Sequence, residues 1–366
     1  MLTQERKKIG MEKKQIKRIG ILTSGGDAPG MNAALRAATR SALCQGIEVM
    51  GILKGYRGLI DGDILKFDAR HVSNIITRGG TILYSDRCDE FKTDEGMKKA
   101  VDTCHEYGID GIVAIGGDGT FRGATDLSRL GIPTIGIPAT IDNDITATDY
   151  SIGFDTAMNT VLEMVDRLRD TCESHSRCSV VEVMGRDAGH IGLECGIAVG
   201  AVGIAIKELP FDEQDCLQRI IDGKKTNKRH NIVLVSEGMG DTYADYFAER
   251  IEKETYITTR VARLAHVQRG GSPTLRDRFI ATRMGDRAIS LLIEGRMNMV
   301  VCMQNNAIVE VENEYAFNLD KKYKGKMKDE EFDLLSEAEK EKINARVNQR
   351  KQRMEDLYDM AKRMSI

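Results

Sequence analysis

Short apolar runs alternate with amphipathic stretches along most of the chain, from residue 18 to about residue 305. The apolar runs predict strands, and apolar residues at helical spacing predict helices between them. Because strands and helices alternate, the sequence predicts mainly parallel sheets with helices on both faces. The predicted strands span 18–23, 47–53, 110–115, 133–137, 178–184, 202–207, 231–236 and 299–304. The predicted helices lie near 30–45, 94–107, 153–172, 188–200, 212–222 and 275–294.

The last part of the chain has a different pattern. From Lys321 onward charged residues are dense and glycine is almost absent. One stripe of residues recurs at alternating spacings of four and three, which is typical of an amphipathic or coiled-coil helix. A helix packed on the second domain is favoured over a true coiled coil. The stripe consists of Ile343, Val347, Arg350, Met354, Leu357, Ala361 and Met364.

Composition and charge narrow the class of protein. A length of 366 residues favours two domains over one. The net charge of −3 gives no general reason to bind nucleic acid or an anionic membrane, and no apolar run is long enough to span a bilayer. The basic stretch 7–18 is not followed by an apolar segment, so it is not a secretory signal. The eight cysteines contain no CxxC pair, as expected of reduced thiols in a cytoplasmic protein.

Two glycine-rich loops each follow an apolar run and precede a predicted helix. Their sequences are Gly-Gly-Asp at 25–27 and Gly-Gly-Asp-Gly-Thr at 116–120. A strand that turns through glycines into a helix directs backbone N–H groups and the helix dipole at an anion, usually phosphate. Asp118 in the second loop suits a magnesium ion held between protein and phosphates.

Charged residues follow two further predicted strands. Asp142 and Asp144 lie in a polar turn, where they are explained either by turn chemistry or as a general base with an electrostatic or metal-linked neighbour. Arg186 lies in another turn, and its cation suits a phosphoryl group in transfer.

Two groups of basic side chains are also suited to binding anions. Arginines beside glycines near residue 270 indicate a phosphate clamp, because arginine can bind phosphate oxygens bidentately. Arg36 and Arg40 share one face of a predicted helix, which leaves a solvated face and an anion site equally open. The group near residue 270 consists of Arg260, Arg263, His266 and Arg269.

Five motifs, taken together and in order, resemble those of the bacterial-type 6-phosphofructokinases. They are GGDAPGMN at 25–32, GGDGT at 116–120, PATIDND at 138–144, VEVMGR at 181–186 and HVQRGGSP at 266–273. The resemblance runs from about residue 17 to residue 310. One loop would be weak evidence, but five ordered motifs make chance similarity implausible.

The resemblance implies an α/β fold with two doubly wound, Rossmann-like domains. An ATP-binding domain is expected at 16–153 plus 268–318. A fructose 6-phosphate-binding domain is expected at 154–267 plus 319–366, including the charged helical tail. The family also implies a cytoplasmic homotetramer in which neighbouring subunits contribute to each other's sites.

The implied reaction is transfer of the γ-phosphoryl group of ATP, with Mg²⁺, to the 1-hydroxyl of fructose 6-phosphate. By resemblance, Asp142 is the base, supported by Thr140 and Asp144, while Arg186 and Gly26 stabilise the phosphoryl group in flight. The expected ATP site comprises Gly26, Arg87, Cys88, Gly117, Asp118, Gly119 and Thr120, with Asp118 towards magnesium. The expected sugar-phosphate site comprises Thr140, Ile141, Asp142, Met184, Gly185, Arg186, Glu237, His266, Val267, Gln268 and Arg269, with Arg177 and Arg260 reaching it from the neighbouring subunit.

Two small residues favour ATP over pyrophosphate as the donor. Pyrophosphate-using relatives typically carry Asp at the position of Gly119 and Lys at the position of Ala139. A side chain at either position would fill or recharge the space that the α-phosphate of ATP needs.

Family members often carry a second nucleotide site for ADP or phosphoenolpyruvate at a subunit interface. Val202 replaces the acidic residue that faces the effector's magnesium, while Ala69 and Thr226 stand at positions that are basic in the family. We therefore expect weakened ADP activation with retained anion binding. The residues kept for this effector site are Arg36, Arg40, Arg169, Gly200, Lys228, Arg229 and His230.

Other functions explain fewer of the motifs. NAD kinases and diacylglycerol kinases share the GGDGT loop but lack the PATIDND and HVQRGGSP segments. A non-catalytic, nucleotide-binding regulatory paralogue should have lost Asp142, Asp118 or Arg186, and all three are present. A dinucleotide-binding oxidoreductase would need a GxGxxG fingerprint with a ribose-binding acid, which is not evident. A pyrophosphate-dependent phosphofructokinase remains the main alternative.

Adding ADP to a coupled assay at low fructose 6-phosphate concentration should raise the rate only weakly, because Val202 offers no charge to the effector's magnesium. The measurement is the initial rate as a function of ADP concentration. Strong activation would show that the change to Val202 does not matter.

Overall fold

The computed structural model describes residues 16–365, so most of the basic stretch 7–18 lies outside the described residues. The strands are β1 Arg18–Ser24, β2 Glu48–Ile52, β3 Ile64–Phe67, β4 Gly111–Gly116, β5 Thr134–Pro138, β6 Cys178–Val183, β7 Gly203–Ala205, β8 Asn231–Ser236, β9 Thr259–Arg263, β10 Met299–Gln304 and β11 Ala307–Glu312. The α-helices are α1 Met31–Cys44, α2 Tyr56–Asp61, α3 Asp94–Glu106, α4 Asp118–Arg129, α5 Phe154–His175, α6 His190–Ala198, α7 Glu213–Lys225, α8 Tyr243–Thr255, α9 Leu275–Ile293, α10 Asn313–Tyr323, α11 Asp329–Asp333 and α12 Glu337–Met364. Over 16–365, no helix combines the length and apolarity needed to cross a membrane.

A seven-stranded sheet in the order β11-β10-β5-β4-β1-β2-β3 forms the first half of the fold. Its five inner strands are parallel, and the two edge strands, β3 and β11, are antiparallel to their neighbours. Alternate residues of β4 enter different apolar clusters: Val113 and Ile115 face one side, and Ile112 and Ala114 face the other. Both faces are therefore buried, as in sheets covered by helices on each side.

A four-stranded sheet in the order β7-β8-β6-β9 forms the second half, and all its pairings are parallel. Strand β8 is buried along its whole length, because it lies inside the sheet and helices cover it. The predicted α/β architecture with two doubly wound, mainly parallel sheets is confirmed.

Every predicted strand and helix is present, but three strands were missed. They are β3, β9 and β11, which all lie at sheet edges. Edge strands keep exposed polar side chains and carry no continuous apolar run. Strand β9, for example, begins Thr259-Arg260 and ends at the exposed Arg263.

Helix α12 is a packed part of the fold and not a free coiled-coil segment. A capping box between Ser336 and Glu339 begins it. Most of the predicted stripe is buried against the same chain, whereas Met364 at its end is exposed. The first half of α12 packs with the first sheet, since Ile343 belongs to the apolar cluster that contains Cys302.

The second half of α12, with Ser365 directly after it, contacts the segments on either side of β7 in the four-stranded sheet. Tyr358 donates a hydrogen bond from its hydroxyl to the carbonyl of Pro210 at 3.2 Å, and Ser365 Oγ donates to the carbonyl of Ala201 at 2.9 Å. The helix thus connects both halves of the fold. The division into 16–153 plus 268–318 and 154–267 plus 319–366 stays a prediction.

Arg350 in the middle of α12 reaches the loop that carries Asp142. It is buried, and its guanidinium donates to the carbonyls of Thr148 at 3.0 Å and Asn143 at 3.2 Å. His190 on α6 has its Nε2 atom 3.3 Å from Arg350 Nη2. Burial is the main cause that lowers the pKa of His190 to about 3, and the Arg350 charge adds to it. A neutral histidine beside the arginine avoids a second buried cation.

Replacing Ile343 by Ala should lower the free energy of unfolding by about 2–5 kcal/mol, because it opens a cavity under α12. The exposed Leu334, just before α12, is the matched control: Leu334→Ala should change stability by no more than about 0.5 kcal/mol. Urea unfolding measures both. Equal effects of the two variants would contradict the packed position of the helix.

Candidate functional site

The two glycine loops meet because their strands are neighbours in the first sheet. Strands β1 and β4 pair in parallel, with Ser24 opposite Gly116. Thr120 Oγ1 donates to the carbonyl of Ser24 at 3.0 Å and ties the loops together. Gly116 is required here, since a Cβ at this position would lie 2.2 Å from that carbonyl oxygen. No side chain caps the start of α4 at Gly117, which leaves backbone N–H groups available to an anion.

A cavity of about 520 Å³ lies at the carboxyl ends of β1, β4 and β5. It is lined by every residue of the expected ATP site, together with residues expected to act in catalysis. The expected ATP-site residues in its wall are Gly26, Arg87, Cys88, Gly117, Asp118, Gly119 and Thr120. The other expected residues in its wall are Thr140, Asp144, Arg186 and Arg269.

Aromatic and charged residues that were not predicted from the sequence complete this wall. Tyr56 stacks on Phe91 with ring centroids 4.2 Å apart and donates its hydroxyl to the carbonyl of Thr120 at 2.5 Å. Gly123 on α4 leaves room for the Tyr56 ring, because a Cβ there would lie 2.6 Å from it. These residues carry no local motif that could have identified them. The additional wall residues include Tyr56, Asp86, Asp89, Phe91, Lys92, Arg122 and Asp126.

Asp142 is buried in the turn after β5 and is paired on one side only. Its Oδ2 lies 3.3 Å from Arg186 Nε, while its buried Oδ1 has no hydrogen-bond partner among the described residues. Burial is the main cause that raises the pKa of Asp142, and the Asp144 charge adds to it. The cations Arg186 and Arg269 oppose this rise.

A strained turn positions Arg186 beside Asp142. Its backbone has a φ of +54°, in the left-handed region that costs a non-glycine residue free energy. Glu237 Oε1 stabilises the turn by accepting the backbone N–H groups of Gly185 at 3.1 Å and Arg186 at 2.6 Å. The Arg186 side chain stays 63% exposed, so its guanidinium can reach a ligand in the cavity.

The segment Ala265–Arg269 carries other expected sugar-phosphate residues, and its Arg269 lies in the wall of the cavity. Gln268 Oε1 accepts the backbone N–H of Met184 at 3.0 Å. Arg269 packs beside Gly26, where a Cβ would come within 2.6 Å of its Nη1 atom. His266 is exposed on the adjoining 3-10 helix, Ala265–Arg269.

Arg177 and Arg260 are not brought to this cleft within one chain. Arg177 precedes β6, and Arg260 pairs with Ser179 near the start of that strand. Met184 follows the opposite end of β6, which a six-residue strand places roughly 20 Å away. Their predicted role in the site of a neighbouring subunit stays a prediction.

The residues around Asp118 fit a magnesium ion that arrives with phosphates. Over the described range, no three or more His, Cys, Asp or Glu side chains form a ready metal site. Mg²⁺ needs only one or two carboxylates when phosphate oxygens and waters supply the remaining ligands. Asp118 Oδ1 is buried without a hydrogen-bond partner, and Oδ2 lies 2.5 Å from Lys324 Nζ.

The expected effector residues fall into two groups. Arg169 Nη1 lies 3.1 Å from His230 Nε2, and burial together with the Arg169 charge lowers the pKa of His230. Arg36 and Arg40 lie on α1, and no hydrogen bond or ion pair among residues 16–365 joins them to the first group. Val202 is buried in an apolar cluster with Cys178 and Leu217, and Gly200 bends the backbone just before it with a φ of +60°.

Comparisons with known proteins identify relatives of this chain. Residues 18–292 match the family model for phosphofructokinase. The ATP-dependent 6-phosphofructokinase of Clostridium tetani is 52% identical over 312 residues, which cover 85% of this chain and 97% of that protein. The protein of the same name from Shouchella clausii is 52% identical over 294 residues, covering 80% and 92% of the two chains.

A solved structure gives the same result for the fold. The phosphofructokinase from Saccharomyces cerevisiae superposes with a TM-score of 0.79 at 31% identity. The match covers 87% of this chain and 47% of the yeast chain, so this chain spans about half the length of that protein.

Proposed function

We propose, because this chain belongs to the phosphofructokinase family, that it is an ATP-dependent 6-phosphofructokinase. Its reaction transfers the γ-phosphoryl group of ATP to the 1-hydroxyl of fructose 6-phosphate, giving fructose 1,6-bisphosphate and ADP in the committed step of glycolysis. The observation that carries the proposal is the buried Asp142, half-paired with Arg186, beside the cavity lined by both glycine loops.

Asp142 is the proposed general base. Arg186 occupies one carboxylate oxygen and leaves the unpartnered Oδ1 to accept the proton of the 1-hydroxyl. As that proton leaves, the hydroxyl oxygen bonds to the γ-phosphorus, and the bond from phosphorus to the β,γ-bridging oxygen breaks. Thr140 Oγ1 accepts the backbone N–H of Asp142 at 3.2 Å and supports the turn, and Asp144 lies in the same turn.

Charge neutralisation and alignment provide most of the catalysis in phosphoryl transfer. Arg186 and the backbone at Gly26 face the same cavity and are proposed to bind the transferring group. Arg269 would hold the sugar phosphate so that the hydroxyl points at the phosphorus. A bound magnesium ion, held by Asp118, would neutralise the phosphate charges of the donor.

ATP is the proposed donor. A Cβ at Gly119 would have no heavy atom within 4 Å, which leaves open space in the cavity beside the second glycine loop. Ala139, in the wall of the same cavity, adds only a methyl group. Both positions thus leave room for the α-phosphate of ATP, which pyrophosphate lacks.

The homotetramer that the family resemblance implies is part of the proposal, because the proposed acceptor site needs residues from a neighbouring subunit. The sugar phosphate would contact Met184, Gly185, Glu237 and His266 of one subunit. Arg177 and Arg260 lie at the far end of their sheet and would act only from a neighbouring subunit. We also propose a cytoplasmic location. An anionic effector would be held by Arg169 with His230 and by Arg36 with Arg40.

Asp142→Asn should reduce the turnover rate by about 10²–10⁴-fold, because an amide accepts no proton from the sugar hydroxyl. A coupled assay with ATP and fructose 6-phosphate measures this. The exposed Asp241 provides the control, and Asp241→Asn should keep the parental rate. Near-normal activity of Asp142→Asn would refute the assignment of the base.

The same assay tests the raised pKa of Asp142. A base acts only when deprotonated, so activity is present above its pKa and is lost as the pH falls through it. Since burial raises this pKa, the acid limb of the pH profile should lie above the ordinary range for an aspartate.

Assays with ATP and with pyrophosphate should show a clear preference for ATP. The physical reason is the space at Gly119, and Gly119→Asp should reduce the rate with ATP by filling and charging it. Equal or faster turnover of the parent chain with pyrophosphate would contradict the donor assignment and favour the pyrophosphate-dependent alternative.

A further inference from the structure

A lysine from the C-terminal region reaches the carboxylates of the donor site. Lys324 directly follows the last residue of α10, and its Nζ lies 2.5 Å from Asp118 Oδ2 and 3.0 Å from Asp144 Oδ2. Asp118 begins α4, and Asp144 lies in the turn that carries the proposed base. The ammonium therefore joins three parts of the chain that are far apart in sequence.

The local packing holds Lys324 at this position. Helix α10 packs directly on α4, and Leu319 of α10 is fully buried beneath it with Phe121. Asp320, one turn before Lys324, anchors α10 by accepting the backbone N–H of Thr146 at 2.6 Å. The Lys324 side chain is only 23% exposed, so the ion pairs are shielded from water more than ordinary surface pairs.

Lys324 lies where a divalent cation would have to bind. Asp118 is the only residue here that we assign to magnesium, and its Oδ2 is already paired with the positive charge of the Lys324 ammonium at 2.5 Å. A free metal ion approaching Asp118 meets that charge at close range and would need to displace it. A metal ion bound to a triphosphate brings net negative charge, so it meets attraction where the free ion meets repulsion.

We propose that Lys324 is a positioning residue that keeps Asp118 and Asp144 directed into the cleft and excludes free divalent cations until the nucleotide arrives. This inference rests on the proposed magnesium role of Asp118. If Asp118 turned to a metal ion, Asp144 would remain as a partner for the ammonium. Magnesium therefore enters this site with the donor and not ahead of it.

Direct metal binding tests the proposal without any catalytic assay. Mn²⁺, as a paramagnetic substitute for Mg²⁺, is added to nucleotide-free protein while free Mn²⁺ is followed by electron paramagnetic resonance. Lys324→Met keeps the length of the stem and removes the charge, so it should bind Mn²⁺ at least about tenfold more tightly than the parent. Lys324→Arg, which keeps the charge, and Lys326→Met, an exposed lysine two residues on, should bind like the parent.

A second substitution shows that the gain arises at Asp118. Asp118→Asn added to Lys324→Met should abolish the tighter binding. Lys324→Gln provides an independent neutral side chain if Lys324→Met unfolds, and urea unfolding checks each variant. Parental or weaker Mn²⁺ binding in a folded, neutral variant would overturn the proposal.

The failure of the proposed function would look different. If the chain does not use ATP and fructose 6-phosphate, the parent shows no turnover in the coupled assay, whatever the metal titration gives. If only the Lys324 inference is wrong, the parent is active and the metal titration alone fails.

Discussion

The site depends on the parallel pairing of β1 with β4. This ladder places Ser24 opposite Gly116, so both strands end together and their glycine loops face one cavity. The hydrogen bond from Thr120 to Ser24 then holds the second loop against the first. Without this register, the two loops would be isolated turns, and neither would form a closed binding surface for a nucleotide.

Holding the proposed base Asp142 in its buried turn costs free energy, and contacts from several parts of the fold offset this cost. Burying a half-paired carboxylate is unfavourable, and the turn beside it includes Asn143 with a φ of +51°. The Asn143 side chain stabilises this turn by accepting the backbone N–H of Ser151 at 2.9 Å. Arg350 on α12 binds the Asn143 carbonyl from the other side. The turn that carries the proposed base is thus held by side chains from distant parts of the sequence.

The C-terminal region therefore belongs to the site as well as to the fold. Arg350 contacts the turn next to Asp142, and Lys324 contacts Asp118. Both residues lie beyond residue 292, where the match to the family model ends. Ser365, directly after α12, contacts Ala201 close to the expected effector residues, so α12 and its C-terminal end connect that region with the turn that carries Asp142.

The sequence by itself determined the fold class, the inner strands and the residues of the two glycine loops. These follow from local patterns, since apolar runs predict buried strands and glycine allows close approach of a phosphate. Three of the four edge strands, β3, β9 and β11, escaped prediction because exposure removes that pattern, whereas the buried edge strand β7 was predicted. Tertiary structure alone decided which distant side chains complete the site: Tyr56 in the cavity wall, Arg350 on the turn beside Asp142 and Lys324 on Asp118. Such contacts depend on how helices pack over long sequence separations, and no local spacing encodes that packing.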